Sequence, residues 1–352
     1  PADTAPVATH GPRNTDTTTT PATSHCLTHE RSRLGVVGLL VPATHGGAGA
    51  TMTEAGIVAE QLGAMVNPGP WLSTAVAAPR VLVRTGAGEE AADLLRGIVD
   101  GSTLVTLGPL HGARPRADRS GGPFRIQGTI DALPDAAAAD IVLILAEHGS
   151  GTGLFAVEAD GIAVTARPHV DPTRKLFDVV FDDTPARHLA PATEDAVGAV
   201  VDDVLIAYAA DALGAADAVM RLAVGYAKVR KQFGKPIGSF QAVQHLCVDM
   251  FETVELARSG VMHALWAADT ADPAERHLAA LRAKALAGQL AAVGDTAIQV
   301  FGGIGFTWEH DAHLYLKRLL SFSAMFGGTD WYLEEVGRSV VARARDQEGM
   351  EL

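Results

Sequence analysis

The segment AKVRKQFGKPIGSFQAVQHLCVDM (residues 227–250) links two helical patterns through a short turn that is crowded with positive charge. The whole chain, by contrast, carries a formal net charge of -13. The crowded cations are Lys228, Arg230, Lys231 and Lys235. Such a cluster in an acidic chain suggests that an anion binds here.

A purely structural interpretation of the same segment is also open. A helix that runs to Gln232 would place cations near its negative C-terminus, where they stabilise the helix dipole. Gly234 would then take the left-handed C-cap conformation, and Pro236 would stop the helix from continuing. Local sequence alone favours neither interpretation decisively.

Composition indicates a large globular protein. The chain has 352 residues, of which 47% are hydrophobic and 20% charged, enough for a large core and two or three domains. The acidic balance argues against non-specific binding of nucleic acid. Cys26 and Cys247 form no disulfide framework and match a reducing compartment. No apolar run of transmembrane length and no signal peptide is found, so we expect a cytoplasmic protein without membrane insertion.

The residue pattern changes three times along the chain. Residues 1–33 are Thr- and Pro-rich without apolar periodicity and are predicted to form a disordered tail. Residues 34–101 show helical spacing with Gly stops and are predicted to form an N-terminal helical domain. Residues 102–190 contain short β-branched or alternating runs, which predict a middle β-barrel or β-sandwich domain. Residues 191–352 are helical again, so the predicted fold class is α+β.

The C-terminal part carries four long helical patterns with short connections. An apolar stripe at three- and four-residue spacing marks the second of them, and His245 on that helix is expected to be a core histidine. The stripe comprises Phe240, Val243, Cys247, Met250, Phe251 and Val254. The predicted helices are residues 196–229, 238–268, 274–300 and 328–345. This pattern is typical of a four-helix bundle.

Metal chemistry is not indicated. Di-iron bundles need paired Glu-x-x-His motifs, and the sequence has none. His310 and His313 lie one helical turn apart, but no second cluster supports them, and metal sites need three or four ligands. We therefore predict that these histidines pack or face solvent. No G-x-S-x-G motif, Walker loop or cysteine-based motif is present.

The segment IQVFGGIGFTW (residues 298–308) is the second unusual stretch. Paired glycines that end a helix are often only a C-cap and a turn. Alternatively, glycines without a Cβ allow a ligand to approach the backbone closely. The segment alone does not distinguish the two interpretations.

Together, RKQFGKPIGSFQAVQH (residues 230–245) and QVFGGIGFTWEHDAHLYLKR (residues 299–318) resemble the acyl-CoA dehydrogenase family. The resemblance covers roughly residues 34–345 and is faint in the middle. That family also has a helical domain, a β domain and a four-helix bundle in this order. The resemblance implies an oxidoreductase that uses FAD to oxidise an acyl-CoA thioester between Cα and Cβ and passes electrons to an acceptor.

The resemblance also implies an identity for the anion. Family members hold FAD across a subunit interface, and Arg230 matches the arginine that contacts the diphosphate. A guanidinium grips a diphosphate bidentately, although the same side chain can also cap the helix dipole. Phe233, Phe240 and Gln241 would pack near the flavin nucleotide, and residues 299–303 along the adenosine part. The implied cofactor-binding residues are Arg230, Phe233, Phe240, Gln241, Gln299, Val300, Gly302, Gly303 and Thr329.

The catalytic base of the family has no counterpart in this sequence. A glutamate removes the α-proton in the family and occupies one of two positions, which here are Val204 and Gly327. Neither side chain accepts a proton, so no catalytic residue is assigned. Asp203 is a weak candidate, since it is one residue off and a helix turns about 100° per residue.

The β-domain loops that face the flavin ring in the family also differ. TLGPLHG (residues 106–112) stands where a T-E-P triplet is usual, and IDALPDAAAAD (residues 130–140) where W-I-T-N is usual. An intact outer FAD half with an eroded ring pocket resembles the smaller subunits of α2β2 acyl-CoA dehydrogenases from sterol-degrading bacteria. The resemblance implies a homologous partner subunit that supplies the glutamate, and a bulky sterol-derived thioester.

Three hypotheses follow from the sequence. The first is a non-catalytic, FAD-completing subunit of a heterotetramer. The second is an active homotetramer with a displaced base such as Asp203, and the missing glutamates argue against it. The third is a non-enzymatic scaffold that binds neither flavin nor acyl-CoA, and Arg230 and Gln241 argue against it.

Overall fold

The structure is a computed structural model that describes residues 35–119 and 122–350. The predicted tail, residues 1–33, lies outside the described residues. The remaining chain forms helices, then strands, then helices again, in the predicted order. The predicted fold class is confirmed.

The N-terminal part is helical. Thr51 begins the first helix through a capping box, in which the Glu54 carboxylate accepts from the Thr51 backbone N–H at 2.8 Å. A π-helical turn, Leu72–Ala77, leads directly into the second helix. The helices are α1 (Met52–Ala64), α2 (Ala78–Arg84) and α3 (Ala92–Asp100).

The middle part forms one seven-stranded sheet that closes on itself. The strands are β1 (Val105–Gly108), β2 (Arg116–Asp118), β3 (Phe124–Pro134), β4 (Ile141–His148), β5 (Gly151–Glu158), β6 (Ala163–Arg167) and β7 (Leu176–Pro191). Five of them form a closed ring in the order β4-β2-β3-β7-β5 and back to β4, while β1 pairs with β4 and β6 pairs with β7 outside the ring. A single residue pair, Arg116 with Glu147, joins β2 to β4 and closes the ring. The predicted β domain is therefore a small barrel.

Strand β4 is buried on both faces and ties the barrel to the helices. Ile144 packs inside the barrel with Phe155 and Phe181, whereas Leu143 and Leu145 pack in the large helical core. A strand covered on both sides needs a continuous apolar run, and β4 begins with IVLILA. This shared strand fixes the barrel against the helical part.

The C-terminal part is a bundle built around one long, buried helix. Its helices are α4 (Glu194–Val229), α5 (Gln241–Thr270), α6 (Pro273–Gly288), α7 (Leu290–Phe301), α8 (Ala312–Ala324) and α9 (Thr329–Met350). The single helix predicted over residues 274–300 is interrupted at Gln289, which separates α6 from α7. Helix α8 is an additional element that the sequence analysis did not predict.

The basic turn after α4 adopts a different conformation from the predicted helix cap. Helix α4 ends at Val229, and two short strands, β8 (Lys231–Gln232) and β9 (Lys235–Pro236), pair as a hairpin. Phe233 and Gly234 form its two-residue turn with φ of 52° and 79°. Positive φ at both positions is what a tight hairpin turn requires. The alternative interpretation, a helix running to Gln232 with Gly234 as its cap, is therefore wrong, whereas the helix predicted over residues 196–229 is observed.

Helix α5 leaves much of its apolar stripe uncovered within this chain. Met250 and Val254 are buried as predicted, but Phe251 is 56% exposed. His245 is also exposed, so the expectation of a core histidine is wrong. In the described part of the chain, no helix combines the length and apolar character needed to cross a bilayer.

Candidate functional site

A cavity of about 270 Å³ lies where the barrel meets the helices. Its walls come from the π-helical turn, strands β1 and β3, helix α4 and the C-terminal end of α8. Both divergent loops contribute: residues 106–111 of the first and residues 130–134 of the second line the cavity. The structure therefore brings the two loops singled out in the sequence to one site.

One of the two positions expected to carry a base lines this cavity, and the other directly follows residues of its wall. Val204 on α4 lines it, and Met325 and Phe326, just before Gly327, line the opposite wall. Among the described residues, Asp131 is the one carboxylate that lines the cavity, and 72% of its side chain is exposed. Burial raises the pKa of Asp135, but this residue does not line the cavity itself, and its carboxylate accepts from the Ser73 hydroxyl, which does, at 2.5 Å.

Asp203 is fully buried, but it lies in another environment. Its carboxylate accepts from Arg80 Nε at 2.7 Å and from Arg84 Nε at 3.1 Å. Two guanidinium groups occupy this carboxylate, and Asp203 does not line the cavity. It ties α4 to α2, because both arginines belong to α2.

The two loops that match the family's ring-facing segments carry small side chains, or polar groups that already have a hydrogen-bond partner. Ala132 and Pro134 line the cavity at the divergent second loop. The Thr106 hydroxyl, which also lines it, donates to the Pro134 carbonyl at 2.6 Å. Across the cavity, the His111 and Phe326 rings meet edge to face with centroids 5.0 Å apart. The Thr106 hydroxyl is therefore already committed to a backbone carbonyl.

The second region of interest lies on the outside of the chain, at the hairpin after α4. Arg230 and Gln241 are exposed, and Arg230 makes no ion pair with any described residue. Phe233 is 91% exposed although its φ is positive, a strained arrangement for a bulky residue. Lys235 Nζ lies 4.3 Å from the centroid of the Phe240 ring. This surface presents cations and aromatic rings to something outside the chain.

The glycine pair after α7 is open in the same way. Gly302 ends α7 with φ 66° and ψ -147°, a region restricted to glycine. A Cβ built on Gly302 or Gly303 would meet no atom within 4 Å. Gln299 is exposed, whereas Val300 is buried. Packing inside this chain therefore gives no reason for Gly303.

Thr329 lies elsewhere, as the first residue of α9. Its hydroxyl lies 2.3 Å from a Cβ built on Gly288, so it packs closely on the end of α6. The structure thus places the predicted cofactor-binding residues in separate groups, at the hairpin, at the end of α7 and at the start of α9. None of them lines the cavity.

Among the polar residues of the cavity wall that the sequence analysis missed are Tyr208, Ser321 and His169. The Ser321 hydroxyl lies 3.1 Å from His169 Nε2, and burial raises the pKa of Tyr208 to about 12. These residues belong to three distant segments and to no local motif. Sequence spacing therefore held no signal for them.

His310 and His313 have the contacts of packing residues. His310 Nδ1 accepts from the Ala312 backbone N–H at 3.0 Å, at the start of α8. His313 packs on the Trp308 ring, with centroids 4.5 Å apart. Among the residues that the structure describes, no group of three or more potential metal ligands is found.

Comparison with known proteins agrees with the resemblance. Residues 7–102 match the acyl-CoA dehydrogenase N-terminal domain and residues 206–344 the C-terminal domain. IpdE2, an acyl-CoA dehydrogenase of Mycobacterium tuberculosis, is 34% identical over 288 residues, which cover 81% of this chain and 77% of IpdE2. The chain belongs to the acyl-CoA dehydrogenase family. The family's members are FAD-binding flavoproteins.

A second relative is longer than this chain. FadE34, an acyl-CoA dehydrogenase of Mycobacterium tuberculosis, is 33% identical over 326 residues. The match covers 91% of this chain but only 42% of FadE34. The chain therefore spans less than half the length of that relative.

Two solved structures have the same fold. A variant of the Tcur3481–Tcur3483 steroid ACAD matches with a TM-score of 0.83 and 29% identity, covering 94% of this chain and 92% of that one. The ChsE4–ChsE5 complex of Mycobacterium tuberculosis matches with a TM-score of 0.80 and 25% identity over 92% of each chain. Both cover the helical parts and the barrel alike.

FAD, the family's cofactor, fits the residues of this chain in one half only. The unpaired, exposed Arg230 and the open Gly302–Gly303 backbone suit a diphosphate and an adenosine. The cavity has room, but its walls carry Ala132 and Pro134 where the family packs Trp and Thr on the ring. The chain thus presents an outward-facing surface with a cation and open glycines, and a cavity without the ring-packing Trp and Thr of the family.

Proposed function

We propose that this chain is the non-catalytic, FAD-completing subunit of a heteromeric acyl-CoA dehydrogenase. The observation that supports it most is the cavity wall at Val204 and beside Gly327, where a base would have to stand. Removal of an α-proton needs a carboxylate of raised pKa within hydrogen-bond reach of the carbon acid. The Asp131 carboxylate at the cavity is largely exposed to solvent, and the Asp135 carboxylate behind the cavity wall already accepts from the Ser73 hydroxyl.

The outward-facing surface supplies the other half of the argument. Bound FAD accepts the β-hydride in this reaction, and its diphosphate must be neutralised by cations. Arg230 would bind that diphosphate, and Phe233 and Phe240 would cover the nucleotide from the side of this chain. Gln241, Gln299 and Thr329 are proposed to add polar contacts, and Gly302–Gly303 to let the backbone close on the cofactor.

The proposed substrate class is a bulky, sterol-derived acyl-CoA thioester. Support comes from the relatives: one matching structure is a steroid ACAD, and another is a complex of two differently named chains. By the same comparison we propose a homologous partner that carries the glutamate, in an α2β2 arrangement. A separate electron acceptor would reoxidise the flavin.

The alternatives have less support. A displaced base at Asp203 conflicts with the two arginine contacts that hold this carboxylate. A scaffold that binds no cofactor would not need an exposed, strained Phe233 beside an unpaired Arg230.

Co-expression tests the proposed function. The chain is purified alone and together with a homologous subunit that has the glutamate, and the visible flavin bands and acyl-CoA oxidation with an artificial acceptor are measured. We expect little flavin and little activity for the chain alone, and both for the complex. A yellow, fully active homotetramer of this chain alone would contradict the proposal.

A further inference from the structure

The cavity wall holds a polar cluster that the proposed chemistry does not use. It consists of Tyr208, Ser321 and His169, and it lies among mostly apolar neighbours. Tyr208 is 9% exposed and Ser321 is 7% exposed, and both line the cavity, so the small exposed part of each residue faces it. A few fixed polar groups in an apolar pocket are the usual means of orienting a ligand.

Hydrogen bonds fix the direction in which the cluster presents its protons. His169 Nδ1 lies 3.2 Å from the backbone carbonyl of Asp171, which only accepts, so Nδ1 carries the proton. Nε2 is then an acceptor and receives the Ser321 hydroxyl proton at 3.1 Å. The Ser321 oxygen is left as an acceptor toward the cavity.

Tyr208 supplies the complementary group. Its hydroxyl has no hydrogen-bond partner within the described chain, although its ring packs against Arg174 with the guanidinium carbon 5.2 Å from the centroid. Burial raises the pKa of Tyr208 to about 12, so the hydroxyl keeps its proton at neutral pH. Because Tyr208 lines the cavity, this donor is available to a ligand that binds there.

The helices place Tyr208 and Ser321 at the same level of the cavity. Arg318 on α8 binds Asp211 on α4 at 3.1 Å, and further along α8 Ala324 lines the same cavity as Val204, which precedes Asp211 on α4. The two helices are therefore antiparallel. Tyr208 lies one turn before Asp211, and Ser321 one turn after Arg318, so both residues line the cavity on the same side of the Arg318–Asp211 contact.

A buried ionic network holds this arrangement rigid. Arg318 is 2% exposed and also binds Asp171 at 2.9 Å and the Asn67 carbonyl at 3.0 Å. Asp171 in turn carries the backbone carbonyl that orients His169. One guanidinium thus fixes the elements that bear all three members of the cluster.

We propose that Tyr208, Ser321 and His169 form a recognition site for a hydroxyl group on an otherwise apolar, ring-containing ligand. The ligand hydroxyl donates to Ser321 Oγ and accepts from the Tyr208 hydroxyl, while its apolar part fills the rest of the cavity. This is a statement about ligand binding to this chain, and it does not depend on the proposed function.

A matched pair of probes tests the site directly on the full chain. 2-Naphthol and 2-methylnaphthalene have nearly the same shape and differ in one hydroxyl against one methyl group. Their affinities are measured by fluorescence titration, without flavin or partner. We expect the wild-type chain to prefer 2-naphthol, since a site built for a hydroxyl leaves polar groups unpaired when the hydroxyl is absent.

Substitutions assign the preference to the cluster. Ser321→Ala and Tyr208→Phe are each expected to lower the preference for 2-naphthol roughly three- to tenfold, the loss of one hydrogen bond. Ser323→Ala is the matched control, because its hydroxyl donates to the Leu320 carbonyl on the same helix and the residue does not line the cavity. If either Ser321→Ala or Tyr208→Phe fails to fold, the other still gives the answer.

Three results would overturn the proposal: equal affinity for both probes, binding of neither, or a Ser323→Ala effect as large as that of Ser321→Ala. Riboflavin affinity is measured in parallel. If Ser321→Ala weakens riboflavin as much as 2-naphthol, the cluster binds the flavin ring and the hydroxyl site is refuted. Failure of the co-expression test would leave these binding results unchanged, so the two proposals fail separately.

Discussion

Arg230 is the residue on which the proposed cofactor surface depends most. Helix α4 ends at Val229, so the Arg230 side chain is free to serve as a cap or to bind an external anion. We predict that Arg230→Ala strips FAD from the complex but leaves the bundle folded. Hydrogen bonds to a charged group contribute about 1.5–3 kcal/mol each, whereas a dipole cap contributes about 0.3–1 kcal/mol.

The measurement compares flavin occupancy with melting temperature in the complex. Lys228→Ala is the control, since it removes a cation from the last turn of the same helix. Unchanged occupancy together with a lowered melting temperature for Arg230→Ala would favour the capping role.

Asp203 is predicted to serve stability and not turnover. Asp203→Asn removes the charge that pairs Arg80 and Arg84, and breaking a buried ion pair on one side costs about 3–5 kcal/mol. We expect a lower denaturation midpoint and an unchanged rate per bound flavin. Asp217→Asn, which breaks a partly exposed pair with Arg221, is the control and should cost much less. Lost turnover with FAD still bound would show that Asp203 is the base.

Phe233 and Gly234 show why the sequence identified the right segment but not its conformation. A glycine with positive φ serves a helix C-cap and a two-residue hairpin turn equally well. The hairpin also needs a positive φ at Phe233, which no local preference of phenylalanine predicts. The resemblance therefore located the surface, and the backbone course had to come from the structure.

Two glycines hold helices α1 and α4 in close contact. A Cβ built on Gly214 would lie 1.8 Å from the Glu60 carbonyl oxygen, and one on Gly63 would lie 1.9 Å from that of Asp211. Backbone atoms cannot move aside as a side chain can. We predict that Gly214→Ala is strongly destabilising, by at least the roughly 1–3 kcal/mol typical of overpacking.

Gly225 is the matched control on the same helix. A Cβ built there meets no atom within 4 Å, so Gly225→Ala should stabilise the chain by about 0.5–1 kcal/mol through helix propensity. Urea denaturation of both variants gives the two free energies of unfolding. Changes of the same sign would contradict the close packing of α1 on α4.

Lys284 on α6 makes stability depend on pH. Its side chain is fully buried and Nζ donates to the Phe322 carbonyl at 2.5 Å, at the end of α8. Burial lowers its pKa from 10.5 to about 8. Between pH 8 and 10.5 the unfolded chain therefore binds more protons at this lysine than the folded chain, and the free energy of unfolding rises with pH.

The test compares wild type with Lys284→Met, so that other titrating groups cancel. From about pH 7.5 to about pH 9.5 the wild type should gain on the order of 1–2 kcal/mol over the variant in chemical denaturation. A difference that stays constant with pH would show that Lys284 titrates normally.

Helices were predicted correctly where apolar residues recur at helical spacing over a long segment. A short helix with this spacing was overlooked, and a break between two helices was not predicted. The long α4 and α5 have clear periodicity and lie close to their predicted limits. Helix α8 was missed although Tyr315, Leu319 and Phe322 are its buried residues at helical spacing, so that signal was present. The break at Gln289 has no such signal, since it accompanies the packing of Thr329 on Gly288.

At the level of the whole molecule, the sequence identified the two divergent loops but could not predict the cavity that they line. The walls come together only because β4 packs on both the barrel and the helices, and because α4 and α8 run antiparallel. Tyr208, Ser321 and His169 meet through that arrangement, which no spacing rule encodes. The domain limits 34–101, 102–190 and 191–352, and the cofactor-binding roles, stay predictions.

The division of labour between subunits gives the final prediction. Placing glutamate at the family's base positions, by Val204→Glu or Gly327→Glu, should not create activity in this chain alone. Geometry precedes pKa in proton abstraction, and the cavity lacks the ring-facing Trp and Thr that would fix a flavin against the thioester. At Gly327 a φ of 112° adds backbone strain for any residue with a side chain.

Removing the equivalent glutamate from the homologous partner should instead abolish turnover in the complex. Steady-state rates on one acyl-CoA thioester, divided by flavin content, compare the wild-type complex, the partner variant and the two glutamate variants of this chain. The partner's Glu→Gln should keep its flavin and lose its rate, because only proton removal is lost. A complex that turns over without that glutamate, or a lone Val204→Glu chain that gains activity, would place the base in this subunit and reverse the assignment.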